Sequence, residues 1–145
     1  MNVTRGIRNN NPGNLRWNEK IHWQGQISRD SAGYAIFDSM PHGVRALAIN
    51  LTNAIRAGYN TPRKLIEHFA PSTENPTEAY IQFICKMTGL QQDGTIDEKL
   101  VDTLTDLISR FECGDWLDPA DLVQGLAMAA SHFLQQQKQQ ESSHE

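Results

Sequence analysis

Arg5–Trp17 reads RGIRNNNPGNLRW. The stretch is too polar and too often broken for a core element, yet too rich in specific side chains for filler. Asn9, Asn10 and Asn11 run into Pro12-Gly13, and Asn14 leads into Leu15-Arg16-Trp17. Asn-Asn-Pro-Gly is turn chemistry: Pro fixes φ, Gly supplies positive φ, and Asn tolerates the left-handed region. Two readings follow. One is a plain surface turn. The other is a tied-down loop that presents amide donors and acceptors beside an aromatic ring, a surface suited to neutral, hydroxyl-rich ligands. Arg5 and Arg8, with Trp17 and Trp23 just downstream, bring the second level with the first.

Downstream, Trp23–Ser28 (WQGQIS) and Tyr34–Phe37 (YAIF) predict short strands around the loop 29–33, a hairpin to which Leu15–Trp17 adds a third strand. From His42 to about Ala57 the pattern changes. Val44, Leu47, Ala48, Leu51, Ala54 and Ile55 fall on one face of a helix that Gly58 stops. Thr61-Pro62 caps and opens a short helix through Phe69. Residues 70–74 read as a loop. Asn75-Pro76, with Glu78 three residues after the cap, starts a helix to about Thr88 that Gly89 closes. Thr95 and Glu98 form a capping box for a helix whose apolar face runs from Ile96 to Phe111 and breaks at Cys113-Gly114. Asp118-Pro119 opens a last helix through Phe133, and the polar residues from Gln135 onward are expected to fray. The expected fold class is α+β, mainly α: one domain over 1–134, with a small N-terminal β-hairpin, about five helices and a polar tail at 135–145.

The chain of 145 residues, 39% hydrophobic and 21% charged, has the composition of one ordinary globular domain with a sizeable core. A net charge of −4 argues against a nucleic-acid groove built on bulk electrostatics. No run approaches the ~18–20 apolar residues of a membrane span, and the N-terminus lacks the apolar region of a secretory signal. The expectation is therefore synthesis in the cytoplasm, with a separate delivery device for any target outside it. The five His are scattered and Cys85 and Cys113 match no ligand spacing, so neither metal nor cofactor is expected. Cys113 ends a helix, where the dipole opposes a thiolate nucleophile. Whether the two Cys pair stays open, free thiols being the commoner case.

Carboxylates are more informative. Glu112 lies about 80° from the centre of the apolar helix face, on its border. A carboxyl there, beside Phe111 and before a Gly that admits another chain, is predicted to be partly desolvated, which pushes it toward the pKa of ~6 that a general acid needs. The plainer reading is a surface Glu ending a helix, and position alone favours it. Asp38, just past the second strand, is the natural second carboxylate, though a turn residue before the His42 helix is the better reading there. Asp30 reads as a loop residue only. Trp17, Trp23, Tyr34 and Phe37 serve either as core or as faces that stack on sugar rings, since alternate strand residues face opposite sides.

The blocks RGIRNNNPGNLRW, WQGQ and YAIFDSMPHGVRAL, followed by Ala70-Pro71 and TENPTEAYI, resemble a family of phage and prophage proteins, often labelled virion or structural proteins, that look like lysozyme-like muralytic domains. The resemblance covers roughly the first ninety residues with specific motifs and the rest more loosely. A second similarity is to flagellar and autolysin-type glucosaminidases. In these a helix ending in a catalytic Glu precedes a segment similar to NNPGNLRW and a hairpin with Trp-Gly. Here that order is inverted, as in a circular permutation of the lysozyme-like arrangement. Thr77-Glu-Ala-Tyr80 is similar to a Thr–Tyr pair of lytic transglycosylases. Cys113 directly after Glu112, with Gly114 one residue early, departs from the common pattern.

The resemblance implies a peptidoglycan glycosidase or lytic transglycosylase acting at the bacterial cell wall, with Glu112 as catalytic acid and Asp38 as a second carboxylate if in reach. It implies that Asn10, Asn11, Asn14, Arg16, Trp17, Trp23, Gln24, Tyr34 and Tyr80 line sugar subsites. The implied partners are glycan strands, with a holin or a phage particle for delivery, and no nucleic acid. A non-catalytic virion or tail component that binds cell wall with the same fold is the alternative. A helical adaptor using the last helix rests on the Gln-rich tail alone.

Overall fold

The computed structural model describes residues 3–70 and 76–143. Its element order is a one-turn helix α1 (Arg5–Arg8), strands β1 (Gln26–Arg29) and β2 (Ala35–Phe37), then helices α2 (Met40–Arg56), α3 (Pro62–Phe69), α4 (Thr77–Thr88), α5 (Val101–Cys113) and α6 (Pro119–Ser143), with a 3-10 turn at Glu98–Leu100 leading into α5. The class is α+β, mainly α.

α2 is the central element. Val44, Ala46, Leu47, Ala48, Leu51, Ala54 and Ile55 are buried along it, and it packs against α3, α5 and α6. Leu65 and Ile66 of α3, Tyr80, Ile81 and Ile84 of α4, and Leu104 and Ile108 of α5 complete one core, each fully or almost fully enclosed. Burying a Leu or Ile side chain contributes roughly 1.5–3 kcal/mol, so this cluster carries the domain. α6 comes close to α2 because Gly125 lies directly on Val44 and the Pro41 carbonyl. A smaller cluster of Leu15, Ala35, Phe37 and Ala46 joins the hairpin to α2, with Trp23 packed against both clusters.

Several boundaries differ from the sequence expectations for identifiable reasons. α2 begins at Met40, two residues before His42, because Ser39 is its N-cap and Pro41 fits the first turn. The first strand begins at Gln26 and not at Trp23. Gly25 takes φ +82 and its carbonyl receives the Asp38 N–H, so Trp23–Gln26 is a turn. β1 and β2 pair antiparallel with an irregularity between Gln26 and Ser28. Leu15–Trp17 is not a strand: it contributes one isolated bridge, Arg16 opposite Tyr34. α1, a single turn of polar residues, was not expected from the sequence.

The Thr95–Glu98 capping box does not form. Asp97 caps instead, accepting from the Lys99 N–H, while the Glu98 carboxylate is held 2.6 Å from Arg56 Nε. Thr61 caps α3 as expected, accepting from the Lys64 N–H. Gly89 and Gly114 close α4 and α5, both at φ +78. The expected cap Asn75 and the loop residues 71–74 lie outside the described residues. α6 continues as helix to Ser143, past the point where the polar composition predicts fraying.

Candidate functional site

The Asn-rich stretch is a loop tied down at almost every residue. The Asn11 side chain is completely buried: its Nδ2 donates to the carbonyls of Leu15 and Ala35, and its Oδ1 accepts from the Leu15 N–H, all at 2.9 Å. Asn9 donates to Asp30 Oδ2 at 2.9 Å, and Asn10 to the Phe37 carbonyl at 3.2 Å. Asn10 and Asn14 take left-handed backbone conformations, φ +52 and +49, which Asn tolerates where most residues do not. The expected Gly role falls elsewhere. Gly13 is needed because a Cβ there would meet Leu47 Cδ1 at 2.6 Å.

This loop seats on the C-terminal end of α5. The buried Cys113 thiol faces the Pro12 carbonyl at 3.7 Å. A Cβ on Gly6 would meet Cys113 Sγ at 2.6 Å, so the turn of α1 can approach only as glycine. Thr4 Oγ1 donates to the Cys113 carbonyl at 3.0 Å. Those contacts bring Asn14 to Glu112, across 98 residues of chain: Asn14 Nδ2 lies 3.4 Å from Glu112 Oε2. Glu112 is half-buried. The other amide atom, Asn14 Oδ1, is buried and has no hydrogen-bond partner among the described residues.

Tyr80 of α4 completes the constellation. Its ring stacks on Phe111 at 3.9 Å and 20°. Its hydroxyl is buried and also without a hydrogen-bond partner among the described residues. Burial, with the neighbouring charge of Glu112, pushes the phenol well above its ordinary range, so it stays protonated. Burial and the Glu112 charge likewise raise the Cys113 thiol to about 11, which removes it as a nucleophile near neutrality. Cys85 and Cys113 are both free thiols.

Asn14 also borders open space. With Arg16, Asn50, His68 and Phe69 it lines a cavity of about 300 Å³. Leu15, Arg16 and Asn50 are shared with a second cavity of about 580 Å³, which continues past Trp17, Trp23, Lys20 and Arg29. The two adjoin along Leu15, Arg16 and Asn50 as a two-part groove. Asn50, His68 and Phe69 were not expected from the sequence. Asn50 carried a signal, as a polar residue interrupting the buried run Ala46–Leu51 of α2.

The remaining expected site residues divide. Trp17 is partly exposed in the groove, with the Arg29 guanidinium 5.8 Å from its ring centre. Trp23 shares the wall but is also core. Asn11 differs from the expectation of a ligand-facing amide, since its donors and acceptor are consumed by backbone. Asn10 spends its amide on Phe37. Tyr34 is buried, with the guanidinium of Arg5 4.0 Å and that of Arg16 4.6 Å from its ring centre, which leaves little room for a sugar. Gln24 is exposed and lines neither cavity. Asp38 is bound 2.6 Å from His42 Nδ1 in the first turn of α2, and this hydrogen bond holds its carboxyl below the usual range.

Asp30 does more than the loop role expected of it. Its Oδ1 accepts from the Ala32 and Tyr34 N–H groups, and its Oδ2 from Asn9, so one carboxylate orders the hairpin loop and anchors the Asn stretch. Among the described residues no cluster of three or more His, Cys, Asp or Glu is arranged to hold a metal ion. Among those residues, no helix is long and apolar enough to cross a membrane.

No family model matches the chain. It is similar to Protein P5 of Pseudoalteromonas phage PM2, with 33% identity over 101 residues, covering 67% of this chain. The chain spans 63% of the length of that relative.

Proposed function

We propose that the protein cleaves the glycan strand of peptidoglycan, with Glu112 as the catalytic acid. The observation that carries this reading is the meeting of Glu112 with Asn14, beside a groove walled by amide and aromatic side chains. Glu112 protonates the glycosidic oxygen, the bond to the anomeric carbon breaks, and positive charge spreads over the sugar ring in an oxocarbenium-like transition state. Asn14 orients the carboxyl. The buried, protonated Tyr80 hydroxyl, with no hydrogen-bond partner among the described residues, is a donor held in reserve for the site.

Asp38 is committed to His42, which favours a route with one carboxylate. In that route a hydroxyl of the substrate's own sugar attacks the cation, and the Glu112 carboxylate takes up its proton, acting first as acid and then as base. The product is an anhydro end in place of a reducing end.

The test is incubation with peptidoglycan sacculi, followed by mass spectrometry of the soluble products. Anhydro-ended fragments are expected, and reducing ends would assign hydrolysis instead. Glu112→Gln keeps the shape and removes the transferable proton, so release of fragments falls by about 10²-fold or more. Lysis by Glu112→Gln at the wild-type rate would remove the assignment. The similarity to a phage protein supports a second reading, a particle component that binds cell wall without cutting it. Retained sacculus binding with no soluble product would select that one.

A further inference from the structure

The chain is acidic overall, but its charge is unevenly spread. Residues 1–29 hold five Lys or Arg (Arg5, Arg8, Arg16, Lys20, Arg29) against a single acid, Glu19, for a net +4. The remainder holds eight Lys or Arg against sixteen Asp or Glu, a net −8. The fold concentrates the basic part. Arg16, Lys20 and Arg29 all line the 580 Å³ cavity, with Trp17 and Trp23 between them. Among the described residues neither Lys20 nor Arg29 has a carboxylate partner, and Arg29 leans on the Trp17 ring. Salt bridges elsewhere are satisfied, as at Arg56–Glu98 and Arg63–Glu78. Lys20 and Arg29, with Arg16 beside them and Glu19 as the one acid lining the same cavity, leave that wall net positive in an otherwise acidic chain and form an anion subsite.

The geometry points to the carboxylates of the stem peptides that decorate the glycan as the groups received there. This rests on the glycan-cleaving reading and specifies its substrate. The groove runs from the cationic wall past Asn50 to Asn14, whose amide is 3.4 Å from Glu112 Oε2. A strand lying in it presents uncharged sugar to Glu112 and a discrete anionic branch to Arg16, Lys20 and Arg29. A continuous polyanion fits less well. A nucleic acid tracking beyond the groove would meet the rest of the chain, which carries net −8 over residues 30–145 and repels it.

The experiment compares soluble glycan oligomers that keep their stem peptides with the same oligomers stripped of peptide by an amidase. Binding is measured on the Glu112→Gln protein, so that it is read without cleavage. The expected result is about tenfold tighter binding of the peptide-bearing oligomers at low salt, a preference that shrinks as salt rises. Lys20→Glu combined with Arg29→Glu abolishes the preference, read as the ratio of the two affinities for the same variant. Arg29→Lys, which keeps the charge, retains it and controls for loss of the Trp17 contact. Equal binding of both oligomers by the unsubstituted groove would overturn the subsite. So would a preference that survives the double charge reversal. Tighter binding of a single-stranded DNA oligonucleotide than of the peptide-bearing oligomer would reassign the groove to nucleic acid. If wild-type protein binds peptide-bearing oligomers selectively yet releases no product from sacculi, the subsite stands and the catalytic reading falls.

Discussion

At the scale of single residues, three side chains of similar polarity play different parts because of what surrounds them. Asn11 is scaffold. Asn11→Ala would strand the Leu15 N–H and the Ala35 carbonyl in the interior, at about 1–3 kcal/mol for each group left unsatisfied, while the Leu15 carbonyl keeps the Ala35 N–H. A loss of several kcal/mol in denaturant titration is expected, and a loss below about 1 kcal/mol would mean that water replaces the amide. Tyr80 is the opposite case, a buried hydroxyl with no hydrogen-bond partner among the described residues. Tyr80→Phe removes no hydrogen bond, so the melting temperature should hold or rise, and a clear drop would reveal a partner for the hydroxyl. Asp30 titrates. Hydrogen bonds from Tyr34 and Asn9 hold its folded-state pKa below the ordinary 3.8. A depressed acid pKa stabilises the fold above the unfolded-state value, and that contribution is lost as pH falls through the folded-state value. Acid titration of stability should therefore show a decline below about pH 4 that Asp30→Asn removes.

At the scale of elements, the closest helix contact is made by an absence of side chain. A Cβ on Gly125 would meet Val44 Cγ1 at 2.5 Å and the Pro41 carbonyl at 2.7 Å. Alanine gains about 1 kcal/mol in helix propensity, but overpacking costs about 1–3 kcal/mol, and neither a β-branched neighbour nor a backbone carbonyl can rotate away. Gly125→Ala should destabilise the domain in chemical denaturation, and a stabilised variant would show that α6 slides freely on α2. The long helices were legible in the sequence because apolar residues recurred at helical spacing and because Thr61, Gly89 and Gly114 mark helix ends by local chemistry. α1 is one turn, too short for any period to register. The Glu98 box failed because a distant residue, Arg56, competes for that carboxylate, and no local pattern records such competition. The hairpin was legible as a hairpin, but its first strand was drawn too early because the left-handed Gly25 breaks it. In the groove, the aromatic wall of Trp17 and Trp23 was legible. His68 and Phe69 were not, because only tertiary packing turns the end of α3 toward Asn14.

At the scale of the whole molecule, the candidate site has no home in any one element. Glu112 comes from the end of α5, Asn14 from a loop near the N-terminus, Tyr80 from α4 and Asn50 from α2. They meet because α2 carries the core on one side and the tied-down loop on the other. The basic residues Arg16, Lys20 and Arg29 line a single cavity while residues 30–145 carry net −8, an uneven distribution of charge that orients any approaching ion. The pairing of Asn14 with Glu112 has a further consequence in time. During synthesis the Asn loop leaves the ribosome long before α5 does, and for those 98 residues there is no helix end for it to seat on. Bringing together parts so far apart in sequence belongs to the late stages of folding. A nascent or clipped chain that stops short of α5 therefore lacks the Glu112–Asn14 pair altogether, and the candidate site exists only once the end of that helix has been made.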